Sequence, residues 1–119
     1  MAYKAVCIPG DGIGPEITQS VLSILRAVQA PVEFEEHPAG LAALEQGLEV
    51  LPQSTIDAIT RCKVAIKGPC STPIGGGFTS VNVGLRKRLN LFAAVRPVRS
   101  LAGVKTRFEG VDLIIIREN

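Results

Sequence analysis

Apolar and polar positions fall into short blocks along this chain, and the period changes from block to block. Lys4 to Ile8 (Lys-Ala-Val-Cys-Ile) is almost continuously apolar, the pattern of a short buried strand. Pro9-Gly-Asp-Gly-Ile-Gly14 reads as a tight loop, and Pro15 suits the first position of a helix. Ile17, Val21, Leu22, Ile24, Leu25 and Val28 then recur at helical spacing, and Pro31 ends the helix. Val32 to Glu36 alternates, which predicts a second strand more exposed than the first. Leu41 to Leu48 predicts a short helix, and another begins near Pro52 with Ile56 and Ile59 inward.

Three later segments share one design. Cys62 to Ile66 is an apolar strand ending at Lys67-Gly-Pro, Leu91 to Val95 ends at Arg96-Pro, and Val111 to Ile116 ends at Arg117-Glu-Asn. Between the first two lie a glycine-rich loop (Gly75, Gly76, Gly77) and a helix from about Asn82 to Leu89. Strands alternating with helices predict an α/β fold with a mostly parallel sheet and flanking helices. No internal repeat or low-complexity linker interrupts the pattern, so residues 1–119 are expected to form part of one α/β domain. The most apolar strand comes last. A parallel strand of that kind is buried on both faces, so the expectation is a fragment of a longer polypeptide, or a chain that needs a partner to finish its sheet.

Composition narrows the function. With 46% hydrophobic residues in 119, the chain can bury one core. Thirteen basic against 11 acidic residues leave a net charge of only +2, and aromatics are 4%. Nucleic-acid binding through bulk charge or base stacking is therefore not expected. No apolar run approaches the roughly 18 residues of a membrane span. The N-terminal residues carry no cleavable signal or Arg/Ser-rich presequence, so the expected place is the cytoplasm, with the mitochondrial matrix as the alternative. Cys7, Cys62 and Cys70 lack metal-ligand spacing and read as reduced thiols, with no nearby base to make one a nucleophile.

Open α/β sheets bind ligands beyond the carboxyl ends of their strands. Lys67, Arg96 and Arg117 each end a predicted strand there. Asn82 and Arg86, spaced i and i+4, share one helical face, and Val81, Leu85 and Leu89 form the adjacent stripe that seats the helix. Thr79 or Ser80 can cap that helix, whose free N–H groups favour an anion. These cations are expected to converge on one crevice suited to a small polycarboxylate or a phosphate. Each charge-assisted hydrogen bond there contributes roughly 1.5–3 kcal/mol. The bland alternative is that strand-end cations simply meet solvent.

Other motifs are weaker. Gly10-Asp-Gly-Ile-Gly14 departs from the dinucleotide fingerprint G-x-G-x-x-G, and a tight turn is favoured over a pyrophosphate cradle. Gly75 to Gly77 lacks the Gly-Lys-Ser/Thr of a P-loop. His37 has no partner spacing and reads as a surface residue. Asp11, Glu16 and Glu118 form no obvious metal cluster, and Glu118 is expected beside the arginine strand ends.

Taken together, Ile8-Pro-Gly-Asp-Gly-Ile-Gly-Pro-Glu16, Lys67-Gly-Pro69, Ser71-Thr-Pro-Ile-Gly-Gly-Gly77, Thr79-Ser-Val-Asn-Val-Gly-Leu-Arg86, Phe92-Ala-Ala-Val-Arg-Pro97 and Ile116-Arg-Glu-Asn119 resemble the isocitrate/isopropylmalate dehydrogenases in order and spacing. The resemblance covers the whole chain but only about the first third of a typical member. It is closest to the isocitrate branch. Ser80 and Asn82 match positions that hold the distinguishing carboxylate of isocitrate, where isopropylmalate enzymes carry an apolar residue, and Lys67 also matches that branch. Arg86, Arg96 and Arg117 correspond to the arginines that clamp the malate-like carboxylates. Ser71 and Thr72 fall where the family has hydroxyls near the nicotinamide side of the cofactor.

The resemblance implies an NAD-dependent oxidative decarboxylation of isocitrate to 2-oxoglutarate, with NADP as the alternative coenzyme and Mg²⁺ or Mn²⁺ in the complete enzyme. It also implies a homodimer or higher oligomer. Alternatives are isopropylmalate or homoisocitrate as substrate, a non-catalytic truncated or regulatory subunit, and a generic phosphate-binding domain. The family's catalytic Tyr and Lys, its metal-binding aspartates and its adenosine loop match nothing in these residues. The chain by itself is expected to be inactive.

Overall fold

The strand that enters first becomes the middle of the sheet. In the computed structural model, which describes residues 2–71 and 79–118, β1 (Tyr3–Ile8) pairs in parallel with β2 (Val32–Glu36) on one side and β3 (Ala65–Lys67) on the other. Ala5, Val6, Cys7 and Ile8 are all buried, as the apolar run requires, whereas β2 alternates and stays partly exposed. Side chains on a strand alternate between faces. Val6 and Ile8 join Ala39, Val50, Leu51, Ile56, Ala58, Ile59 and Val81 in the core. Val81 opens α4 (Val81–Arg88), and Leu85 and Leu89 pack on the same cluster, so the predicted stripe does seat this helix.

The helices differ from expectation in detail. α1 (Gly14–Ala27) starts with Pro15 in its first turn, as predicted, but its buried residues are Gly14 and Thr18. Ile17, Val21, Ile24 and Val28 leave an exposed apolar stripe. α2 is one turn, Leu41–Leu44, shorter than the predicted Leu41 to Leu48, because the chain turns back through Gly47 at φ +73°. α3 (Gln53–Cys62) takes Cys62 into its last turn and closes on Lys63, a left-handed C-cap at φ 66°. The predicted strand from Cys62 is thus shortened to Ala65–Lys67.

The larger correction concerns the last two strands. β4 (Ala93–Arg99) and β5 (Asp112–Glu118) are antiparallel and form a sheet of their own, with Arg96 opposite Ile115 and Ala94 opposite Arg117. A parallel crossover needs a dozen or more residues, usually a helix. Residues 100–111 instead turn through Gly103 and Gly110, both at positive φ. Pro97 lies within β4 and cannot donate to a ladder, which confines it to an edge. Every residue of β5 is exposed, so the double-sided burial expected of it is not met within this chain. The radius of gyration is 16.6 Å, against about 13.5 Å for a compact domain of this length.

The loops after β1 and β3 pack back to back. The Gly68 amide donates to the Ile8 carbonyl at 2.8 Å, and the Asp11 amide donates to the Pro69 carbonyl at 2.8 Å. A Cβ on Gly10 would land on the Pro69 carbonyl, and one on Gly68 would land on the Pro9 carbonyl. The glycines therefore serve a close backbone approach, and Pro69 fills the space a phosphate would need against Gly10. Gly68→Ala is expected to destabilise the chain by about 2–4 kcal/mol, because backbone must move. Gly84→Ala, whose added methyl meets only the flexible end of Leu51 at 3.0 Å, is expected within about 1 kcal/mol of the parent. Urea denaturation midpoints of the two variants test the contrast.

Candidate functional site

The carboxyl end of β3 and the inner face of α4 bound one crevice of about 350 Å³. Lys67 comes from the end of β3, and Asn82 and Arg86 come from one face of α4. Lys63 adds a third cation from the end of α3. Ile8, Ile59, Ala65, Leu85, Leu89 and Leu91 supply the apolar wall. Three cations facing apolar walls favour an anion that carries hydrocarbon as well as charge. Arg86 is half-buried, while Lys67 is exposed and folds back, its Nζ donating to the Gly68 carbonyl at 2.5 Å. Arg86, Lys87 and Arg88 also oppose the negative end of the α4 dipole. Arg88 is committed to structure, donating to the Leu51 carbonyl at 2.6 Å and to the Gln53 side chain.

The other site residues lie elsewhere. Ser80 is the N-cap residue of α4, half-buried, and makes no side-chain capping bond. It borders a second groove with Thr79, Gly84, Lys87 and Arg88 rather than the Lys67 crevice. Arg96 and Arg117 do not line that crevice either. They are exposed on the β4–β5 ribbon, where the register sets them diagonally on one face. Arg96 sits in mid-strand, not at a strand end, because β4 continues through Pro97 to Arg99. Within this chain the expected convergence of four cations and the start of α4 is thus divided: Lys67 and Arg86, with Asn82, are in the crevice, Arg96 and Arg117 are on the ribbon, and Ser80 at the helix start borders the second groove. Glu118 pairs with Ala93 on the opposite ribbon face from Arg117, so it is not the arginines' neighbour. Ser71 is exposed on the loop after β3. Thr72 and Gly75 to Gly77 lie outside the described residues.

Sequence reasoning missed Lys63 and the structural role of Asp11. Lys63 shares the crevice, and a cation at a helix C-terminus was a readable signal for it. Asp11 carries no such signal, because its partners are 30 and 60 residues away. Its carboxylate, 8% exposed, accepts the amides of Leu41 (3.0 Å), Ala42 (2.9 Å) and Ser71 (2.7 Å). His37 is half-buried and has partners after all. Its amide donates to the Cys7 carbonyl, and its Nε2 lies 3.6 Å from the Glu35 carboxylate. Glu35 also pairs with Arg61 and accepts from the Cys62 thiol. Partial burial works against its ionisation, but these contacts together hold its carboxyl below the usual range. Among the described residues, no three His, Cys, Asp or Glu side chains are grouped to hold a metal.

A family model described as isocitrate/isopropylmalate dehydrogenase matches residues 4–119. This chain belongs to that family. It is 48% identical over 116 residues to the chloroplastic 3-isopropylmalate dehydrogenase of Solanum tuberosum, covering 98% of this chain and 32% of the relative. It is 49% identical over 115 residues to the mitochondrial NAD isocitrate dehydrogenase catalytic subunit 5 of Arabidopsis thaliana, covering 97% and 31%. The crystal structure of isocitrate dehydrogenase from Methylococcus capsulatus superposes with a TM-score of 0.88 at 44% identity, over 98% of this chain and 34% of that one. The chain therefore spans about a third of the length of the family members it matches. Relatives named for NAD and for NADP both match.

The three cysteines are free, and none is tuned as a nucleophile. Burial pushes the Cys7 thiol up, with Glu36 adding to it. Burial likewise raises Cys62, followed by the Glu35 contact. Burial raises Cys70 against the opposing pull of Lys67, with Asp11 reinforcing the rise. A raised thiol keeps its proton in the folded state after the unfolded chain has lost it. Stability is therefore expected to hold at neutral pH and fall as pH climbs through the ordinary thiol range near about 8.5. Denaturation midpoints from pH 7 to pH 10, compared with a variant carrying Cys7→Ala and Cys70→Ala, are expected to show a flatter decline in the variant.

Proposed function

We propose that this chain is the substrate-anchoring part of an isocitrate dehydrogenase. The observation that carries the reading is the meeting of Lys67, Asn82 and Arg86 in one crevice. Arg86, with Arg96 and Arg117 from the ribbon, is read as the clamp on the malate-like carboxylates. A guanidinium fork pairs bidentately with a carboxylate, which fixes orientation as well as charge. Asn82, with Lys67 beside it, is read as one contact to the distinguishing carboxylate, and Ser80, at the start of α4 on the neighbouring groove, as a second. The clamp's task is to hold the substrate's C–H bond in a reactive direction, so that orientation is settled before the chemistry begins. Ser71 and Thr72 are read as lining the nicotinamide side. Bound NAD or NADP supplies the hydride acceptor for oxidation of the carbinol, and loss of carbon dioxide follows. The described residues offer no donor set for Mg²⁺ or Mn²⁺, so no step is assigned through a metal here.

The apolar strand β5 is a surface that the assembled enzyme, a dimer or larger, covers. Three free thiols of raised pKa suit a reducing compartment, either cytoplasm or mitochondrial matrix.

One observation favours a second substrate. Leu85, Leu89 and Leu91 line the same crevice as the cations, and an isopropyl group would suit that wall. Overall identity does not separate the branches, at 48% and 49%. The test is a chimera in which this chain replaces the matching third of the Methylococcus capsulatus enzyme. The chain alone is expected to show no turnover, and the chimera to oxidise isocitrate in preference to isopropylmalate. Ser80→Leu in the chimera is expected to lower kcat/KM for isocitrate at least 100-fold while leaving coenzyme KM within threefold. Preference for isopropylmalate by the unsubstituted chimera would select the second substrate.

A further inference from the structure

Asp11 is a buried carboxylate with three backbone donors and, among the described residues, no ion pair. Its Oδ2 accepts from Leu41 and Ser71, and its Oδ1 accepts from Ala42. Two of these donors open the single turn of α2. The third belongs to the loop that leaves β3 toward Ser71. One side chain therefore ties three separate segments together: the loop after β1, the start of α2, and the loop after β3.

The surroundings select aspartate. A Cβ on Gly40 would overlap Oδ2, so the glycine clears the space the carboxylate occupies. Asparagine has one acceptor oxygen for donors that approach from two directions, so its amide nitrogen must face either Ala42 or the Leu41 and Ser71 pair. The Asp11 amide also donates to Pro69, two residues before Ser71. Both the backbone and the side chain of Asp11 thus grip the same loop.

We propose that Asp11 is a positioning residue that sets the backbone at Ser71, and through it the Ser71 hydroxyl on the coenzyme side of the site. The functional half of this statement rests on the reading of Ser71 given above, whereas the positional half does not. Thr55 provides a structural comparison. It is fully buried, and its hydroxyl donates to the Pro38 carbonyl at 2.9 Å, with no hydrogen bond to Ser71 among the described residues. Thr55→Val therefore loosens the same fold without removing a hydrogen bond to Ser71.

The experiment has two readouts. In the chain, amide exchange followed by NMR is expected to be at least tenfold faster at Ser71 in Asp11→Ala, and within twofold of the parent in Thr55→Val. If Asp11→Ala does not fold, Gly40→Ala crowds Oδ2 with the carboxylate intact and is expected to move Ser71 in the same direction. Equal exchange at Ser71 in these variants and in Thr55→Val overturns the positional role. In the chimera, Asp11→Ala is expected to raise coenzyme KM at least tenfold with isocitrate KM within threefold. An equal rise in both constants overturns the coenzyme-side role. Failure of the unsubstituted chimera to turn over either substrate instead rejects the dehydrogenase reading, and the exchange result still decides whether Asp11 positions Ser71.

Discussion

The close approach of two backbone loops governs this structure. The segments that leave β1 and β3 touch carbonyl to glycine, with Gly10 against Pro69 and Gly68 against Pro9. Neither contact admits a side chain. The approach fixes where β3 ends relative to β1, and hence where Lys67 stands against α4. It also brings Asp11 within reach of Ser71, which a loop carrying larger residues would hold away. A run of glycines after a strand invites comparison with a phosphate cradle, but here the open space is occupied by peptide carbonyls.

The charge arrangement follows from that frame. Hydrophobic burial at Val81, Leu85 and Leu89 locks α4 over the core, and the helix period then carries Asn82 and Arg86 into the crevice beside Lys67. Arg96 and Arg117 depend on a different constraint, the register of an antiparallel ribbon, which alternates their face with that of Glu118. An isolated two-stranded ribbon is marginal in water. Its apolar residues on both faces, Leu113 and Ile115 on one and Ile114 and Ile116 on the other, match a strand that is covered on both sides. The apolar stripe of α1 is similarly open. Both surfaces accord with relatives about three times as long.

Much of this was legible residue by residue. The run from Lys4 to Ile8 announced a buried strand because both of its faces had to be apolar. Pro15 and the spacing of Val81, Leu85 and Leu89 announced two helices. The motif order announced the family, since each short piece holds a backbone shape or charge that the fold reuses. Local pattern also misled where two outcomes share one signature. An apolar strand ending in arginine reads the same whether its neighbour runs parallel or antiparallel, so the β4–β5 ribbon was mistaken for two more parallel strands. Cys62 looked like strand but lies in a helical turn, because Lys63 accepts a left-handed backbone there.

The amino-acid sequence by itself determined most of the element types, the burial of β1, the family and the identity of the candidate side chains, because each of these is written in neighbouring residues. Tertiary structure alone decided strand direction, the division of the arginines between crevice and ribbon, and the three-way grip of Asp11. The grip of Asp11 depends on groups 30 to 60 residues apart meeting in space, and strand direction and the placing of the arginines depend on the β4–β5 register, neither of which a local period or motif encodes.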